Sequence, residues 1–496
     1  MKILLVYPKY LNTFWSFKDA LKFISKKATH PPLGLLTVAA LLPKEWEKKL
    51  IDMNVSTLRD KDLEWADFVF VSAMSIQKES VKQVISRCKK MGIKTVAGGP
   101  LFTVGYEESE EFEDVDHFVL NEAEITLPVF LADLKNGYAH HIYTSKEFPD
   151  IQKTPIPLWE IINMKAYATM SIQYSRGCPF NCEFCNISAL YGYKVRTKST
   201  AQIISELENI YSQGWRGDVF FVDDNFIGKK RRLKKEILPA IIEWMERKRY
   251  PFPFNTEASI DLSDDEELMQ MMVKAGFNSV FVGIETTNEE SLAECNKVQN
   301  ENRDLLSSVK KIQKFGLQVQ GGFIVGFDND PPSIFERLSS FIQESGIVTA
   351  MVGLLNAPRS TKLYQRLVKE GRLLKDVSGD NTDFSINFIP KMDYETLING
   401  YKNILNRIYS PEPYYKRVRE FLRYYKPLGK RTFHFHFNYI GAFLKSILFL
   451  GIIERERVYY WKLFFWSLFR RPKLFQLSIT FAIYGFHFRK IFGNCL

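Results

Sequence analysis

The sequence predicts an α/β protein in three parts: a doubly wound N-terminal unit, a partial (β/α)6 TIM-type barrel, and a helical C-terminal region. Three observations carry this reading. Short apolar runs alternate with helical patterns through residues 1–130, the same beat returns for six steps after Thr169, and beyond about Tyr364 helical spacing continues without strands. A chain of 496 residues also exceeds one core, and roughly 100 to 200 residues per domain gives three or so units.

In the first unit, 1–130, "KILLVYP", "KKLIDM", "DFVFVSA", "KTVAGGP" and "HFVLNEAE" read as strands, with helices over "PLGLLTVAALLP" and "KESVKQVISRCKKMG". Apolar runs of this kind build parallel sheets covered on both faces. Such sheets hold ligands at the carboxyl ends of their strands. Here those ends carry Pro8, Ser72, Gly98, Gly99 and Pro100, and Glu122 with Glu124. Residues 131–168 show three prolines and no strong period, and read as a linker. In 169–365, "MSIQYS", "DVFFVDDNF", "FNTEAS", "SVFVGIET", "QVQGGFIVGF" and "TAMVGLLNA" are six strands that alternate with helices, the first of which opens on a Ser199 and Gln202 capping box. Active residues of a barrel lie at the C-terminal ends of its strands.

The last part, 366–496, is compositionally distinct. The chain carries a net charge of +10, yet from Lys391 onward there are 19 Lys and Arg against 6 Asp and Glu, which leaves the first 390 residues at −3. Aromatic residues make up about a quarter of that same stretch, against 14% overall. Basic and aromatic together point to a membrane surface or nucleic acid, and the many apolar residues count against a wet nucleotide groove. In "NYIGAFLKSILFLG", Ile440, Phe443, Leu444, Ile447, Leu448 and Gly451 recur on one helical face. Apolar runs stop at about 15 residues, short of the roughly 20 that span a bilayer. Covering the open side of the barrel is the other use such aromatics have. His434 and His436 alternate with Phe in "FHFHF" and do not read as a metal site. No export signal is legible at "MKILLVYPKY", and scattered Cys88, Cys295 and Cys495 suit a reducing cytoplasm rather than a disulfide framework.

The chemistry is in "YSRGCPFNCEFCNIS". Cys178, Cys182 and Cys185 place three thiolates on an irregular loop after the first barrel strand. A structural zinc wants four closed ligands, and the nearest histidines, His140 and His141, lie in the linker. An iron-sulfur cluster held by three cysteines keeps one iron open for a ligand. With this spacing in this position, the chain resembles the radical S-adenosylmethionine enzymes. The resemblance implies a 4Fe-4S cluster whose open iron chelates S-adenosylmethionine, reductive cleavage to a 5'-deoxyadenosyl radical, and an electron donor such as a flavodoxin or ferredoxin. It also implies cofactor contacts at Phe184, in the loop before the last cysteine, and at the strand ends Asp223 and Asp224, Ser259, Glu285 and Gly326. Each has a plainer role open to it: loop packing for Phe184, helix capping for the Asp pair, a turn for Gly326.

A doubly wound unit before a radical barrel is similar to the cobalamin-binding branch of that superfamily. The resemblance implies cobalamin at the sheet end carrying Ser72, Gly98, Gly99, Pro100 and Glu122. The DxHxxG motif that supplies a cobalt histidine is absent, so no protein histidine is expected on cobalt; His30, before Pro31 and Pro32, reads as a helix-entry residue. A first unit that binds nothing is the alternative. From "LLNAPRSTKLYQRLVKEGRLL" to "YSPEPYYKRV" the chain resembles hopanoid and related lipid C-methylases. The expected function is therefore a cobalamin-dependent radical C-methyltransferase on an unactivated carbon of a hydrophobic, isoprenoid-type substrate, in the cytoplasm and peripheral at the inner membrane face, with no nucleic acid partner. The rivals are a lipid C–C bond-forming or cyclising enzyme on the same scaffold, and a cobalamin-binding sensor with a vestigial barrel.

Overall fold

The structure is a computed structural model that describes residues 1–105, 110–374, 378–380, 382–427 and 437–493. His434, His436 and Cys495 lie outside the described residues.

Six strands, β1 (Lys2–Tyr7), β2 (Glu47–Asp52), β3 (Phe68–Ser72), β4 (Lys94–Gly98), β5 (His117–Val119) and β6 (Ile142–Tyr143), form the first sheet in the order β2-β1-β3-β4-β5-β6. All pairs are parallel. Ile3, Leu4, Leu5 and Val6 are fully buried because helices cover both faces: Val81, Val84 and Ile85 on one, Leu35, Leu127 and Phe130 on the other. Strand order reverses between β1 and β3, which opens a crevice at their carboxyl ends. The expected division at residue 130 falls inside the helix Ala123–Asn136, and β6 adds a strand from the segment read as linker. That helix hides its period because Pro128 interrupts it and its apolar residues spread around it.

The second sheet runs β7 (Thr169–Ile172), β10 (Asp218–Phe221), β11 (Phe254–Glu257), β12 (Phe277–Glu285), β13 (Gln318–Val325) and β14 (Ala350–Leu354), all parallel, and is the six-stranded partial barrel. A two-stranded antiparallel ribbon, β8 (Ser175–Arg176) with β9 (Arg196–Thr197), brackets the cysteine loop. The capping box forms as expected: the Ser199 amide donates to Gln202 Oε1 and the Gln202 amide to Ser199 Oγ. Along the strands burial alternates. Outward residues such as Val219, Phe221, Val280 and Val282 are sealed against helices, while inward Phe220, Asn255, Glu257, Phe281 and Gln320 keep accessible surface. The inner row therefore lines an open chamber.

Both barrel edges are covered. On β14, the Tyr401 and Tyr409 hydroxyls of the helix Tyr394–Tyr409 donate to the carbonyls of Val352 (3.0 Å) and Ala350 (2.6 Å). Beside β7, residue Ala28 pairs with Tyr167, and the Thr169 amide donates to the Thr29 carbonyl at 2.9 Å. The C-terminal helix Phe475–Phe492 packs its aromatics inward, with Phe488 stacked on Phe14 at 4.4 Å and the Phe481 carbonyl accepting from Tyr414 at 2.6 Å. This helix belongs to the core. The helices Phe437–Ser446 and Arg457–Arg470, and the π-helical turn Ile447–Ile453 between them, do not follow it: Leu444, Leu448, Ile452, Ile453, Phe465 and Phe469 are exposed. Among the described residues no helix is long and apolar enough to cross a membrane.

Candidate active site

The chain leaves β7 through a clamp. Asp223, just past β10, accepts from the amides of Tyr174 (3.1 Å) and Ser175 and from the Ser175 hydroxyl. Gly177 then takes φ +89°, close against the carbonyls of Tyr191 and Gly192, where a side chain has no room. Beyond it the three cysteines are free thiols. Each sulfur meets a donor: the Phe180 amide on Cys178, the Ile187 amide on Cys185, and Gln299 Nε2 on Cys182 at 3.8 Å. The Lys297 ammonium stands near enough to act on all three. Burial pushes the Cys185 thiol up to about 12 and raises Cys178, so thiolates persist here only against added positive charge. Among the described residues no three His, Cys, Asp or Glu side chains gather for a single metal ion. Three sulfurs with N–H donors, and no fourth ligand among the described residues, suit a cluster with an open iron rather than a closed zinc site.

Residues far along the chain pin this loop. The Glu183 amide donates to the Cys295 carbonyl (2.8 Å), Asn296 Nδ2 to the Asn181 carbonyl (2.9 Å), and the Leu363 amide to the Glu183 carbonyl (3.0 Å). Arg366, in the helix Lys362–Lys369, grips the Glu183 carboxylate with two bonds, 2.7 and 3.1 Å, and reaches Asp328 at 2.9 Å. Burial works against the Asp328 charge, but hydrogen bonds from Arg372 and Arg366 overcome it and hold the carboxyl down to about 2.

The expected S-adenosylmethionine contacts divide. Phe184 packs edge-on to Phe327 at 6.1 Å and keeps a partly open face. Asp224 retains accessible surface and accepts from the Gly177 amide at 3.2 Å; burial raises it to about 6. Glu285, at φ +64°, is paired with Lys297 at 2.6 Å. Ser259 bonds to Asn225 and donates to Asp261. Gly326 takes φ +105° and its amide donates to Asp330 at 2.9 Å. Asp223 is 1% exposed and its oxygens hold the loop, so the structure gives it a positioning part. Sequence reasoning missed Glu257, Lys297 and Gln299. Glu257 ends β11 facing the chamber, and burial, then the Asp224 and Asp223 charges, push it up to about 8.

In the first unit, Ser72, Gly98, Gly99 and Pro100 lie with accessible surface at the ends of β3 and β4. Gly99, at φ +89°, presses against Ser72 Oγ, so the two strand ends meet without a side chain between them. Glu122 is taken up by the fold. It is buried between Arg176 (2.6 Å) and Arg196 (2.8 Å), and Glu124 joins Arg176 at 2.8 Å. These carboxylates tie the first sheet to the ribbon beside the cysteine loop. His117 is also occupied, its Nδ1 on the His140 carbonyl at 2.7 Å.

The structure thus joins a sheet end to a three-cysteine loop at the mouth of a partial barrel through a buried ion network. The comparisons define its class. Residues 23–131 match the B12 binding domain, 172–342 the Radical SAM superfamily, and 361–496 a domain of unknown function, DUF4070. An uncharacterized methyltransferase of Synechocystis sp. is 40% identical over 98% of this chain and 91% of its own length. The hopanoid C-2 methylase of Rhodopseudomonas palustris is 34% identical over 84% of this chain and 78% of its own. Among solved structures, the cobalamin-dependent S-adenosylmethionine radical enzyme OxsB covers 100% of this chain and 81% of its own, with a TM-score of 0.64 at 15% identity. The methyltransferase TsrM from Kitasatospora setae covers 76% and 79%, with a TM-score of 0.61 at 14% identity. The chain belongs to the cobalamin-dependent radical S-adenosylmethionine methylase family. Its cofactors are a 4Fe-4S cluster, S-adenosylmethionine and cobalamin.

Proposed function

We propose that this methyltransferase acts on an unactivated carbon of a hydrophobic, isoprenoid-type lipid, and that it works at a membrane surface. The observation that carries the substrate class is the 34% identity to a hopanoid C-2 methylase across most of both chains. The chamber supports it, because its accessible inner row includes Phe220, Phe281, Ile324 and Met351. The bound cofactors supply radical generation and the methyl group. The chain's part is to hold three thiolates with Cys178, Cys182 and Cys185, to present Asp224, Glu257 and Phe184 toward S-adenosylmethionine, and to receive cobalamin at the strand ends of Ser72 and Gly98 to Pro100. The barrel walls keep water from the reacting carbon. A reductant is required, and we assign that role to a flavodoxin or ferredoxin.

The membrane reading rests on the exposed rows of the C-terminal region. Ile440, Leu444 and Leu448 recur every four residues, as do Phe465 and Phe469, the last 77% exposed, with Arg455, Arg457, Lys462, Arg470 and Lys473 exposed beside them. Apolar rows flanked by cations insert among headgroups and favour anionic lipid. Such docking places the enzyme peripherally, at the inner face of the cytoplasmic membrane.

Product mass tests the function: incubation of the reconstituted enzyme with a polycyclic isoprenoid is expected to add one CH2 unit, and a mass change without it overturns methyl transfer. Cys182→Ala is expected to lose the iron-sulfur absorption. For docking, the protein should float with anionic vesicles at low salt, and Leu444→Glu with Phe469→Glu should leave it in the soluble fraction; equal flotation of both removes the membrane reading.

A further inference from the structure

The loop after β1, residues 8–32, leaves the first sheet and becomes part of the barrel wall. Ala28 and Thr29 pair alongside the start of β7, so His30 is carried to mid-barrel height, where its ring meets inward Phe220 at 5.3 Å. Trp15, from the same loop, meets inward Phe281 edge-on at 5.4 Å. His30 is surrounded by protein yet keeps accessible surface, as expected of a group lining an internal space. Its Nδ1 is sealed, and among the described residues neither ring nitrogen has a hydrogen-bond partner. Burial alone drives its pKa down to about 4, so the imidazole is neutral and offers one donor and one acceptor.

The sealed Nδ1 is beyond the reach of a ligand, so Nε2, on the accessible side of the ring, is the nitrogen a ligand would satisfy, and leaving it unmet in an aromatic chamber is costly. We propose that His30 is a substrate-binding residue: its free ring nitrogen hydrogen-bonds the single polar group of an otherwise apolar polycyclic substrate whose body lies against Trp15, Phe220 and Phe281. The proposal rests on the hydrophobic-substrate reading above and adds the polar requirement. It also assigns both recognising side chains, Trp15 and His30, to the unit that carries cobalamin, so that one unit positions substrate and methyl donor.

The test measures equilibrium binding of two probes to the full-length holoenzyme, cholestanol and cholestane, a tetracyclic alcohol and its parent hydrocarbon, delivered from cyclodextrin. The wild type is expected to bind the alcohol about tenfold more tightly. His30→Phe should keep hydrocarbon affinity and iron content while losing that preference, and His30→Gln should restore part of it. Trp15→Ala should weaken both probes alike. Equal affinity of the wild type for the two probes, or a preference that survives His30→Phe, overturns the role of His30 alone. Binding of neither probe overturns the polycyclic reading and this inference with it.

Discussion

Lys297 shows how much of the site depends on single charges. Its ammonium pairs with Glu285 at 2.6 Å and acts on the cysteine sulfurs. A cation beside a cluster favours the reduced state. Lys297→Gln, which removes the cation and leaves an N–H for the Glu285 carboxylate, is therefore expected to lower the cluster's reduction potential by on the order of tens of millivolts, read by a redox titration of its paramagnetic signal. Glu257 makes the second residue-scale prediction. Its carboxyl is ordinary near 4.5 in the unfolded chain and raised to about 8 in the folded one, by burial and then by Asp224 and Asp223. The folded state thus retains a proton that the unfolded state releases, so stability falls as pH rises from about 4.5 to about 8. In cofactor-free protein, Glu257→Gln should gain on the wild type across that window, and thermal unfolding at pH 5 and pH 8 reads the gap. The cysteines were legible because their spacing is local. Lys297 was not, since nothing near it in the chain marks the sulfurs it serves.

At the scale of elements, β12 is the sensitive one. It bulges between Gly283 and Glu285, and Gly283 has no Cβ because one there would overlap Glu285 Oε1 and Lys297 Nζ. Gly283→Ala should cost about 1 to 3 kcal/mol and displace the ion pair, seen as a lower denaturation midpoint. The six strands and their helices were all legible from period. The face read as Ile440, Phe443, Leu444, Ile447, Leu448 and Gly451 is divided by the structure, because Phe443 and Gly451 pack inward. The apolar row of Ile440, Leu444 and Leu448 points outward, and Ala442, Ser446 and Leu450 are the buried side. Periodicity reports that a face exists, whereas packing against Tyr460 and its neighbours decides which way it turns.

Across the whole molecule, the buried network of Arg176, Arg196, Glu122 and Glu124 sets the distance between the sheet ends and the cysteine loop. Replacing Arg176 by Met strands Glu124, while Glu122 keeps Arg196, and should destabilise the junction by about 3 to 5 kcal/mol. Faster proteolysis within residues 137–158 is the expected readout, and adding Glu124→Gln should recover part of the loss. The sequence suggested Glu122 as a ligand-facing strand-end residue; strand ends were right, but the partner came from the barrel. Tyr409 closes the opposite side of the barrel, and Tyr409→Phe should cost about 1 kcal/mol through the unmet Ala350 carbonyl.

The sequence by itself determined the three-part architecture, the six-step barrel, the cluster loop and the family, because strand and helix periods and the spacing of three cysteines are properties of a few neighbouring residues. Tertiary structure alone decided that Asp223 and Glu122 are spent on holding the fold, that Lys297, Gln299 and Arg366 serve the cysteine loop, and that His30 and Trp15 enter the barrel. Those outcomes depend on which distant surfaces are buried together, and in a closed interior an unpaired charge or hydrogen-bonding group is costly enough to fix its partner wherever in the chain that partner lies.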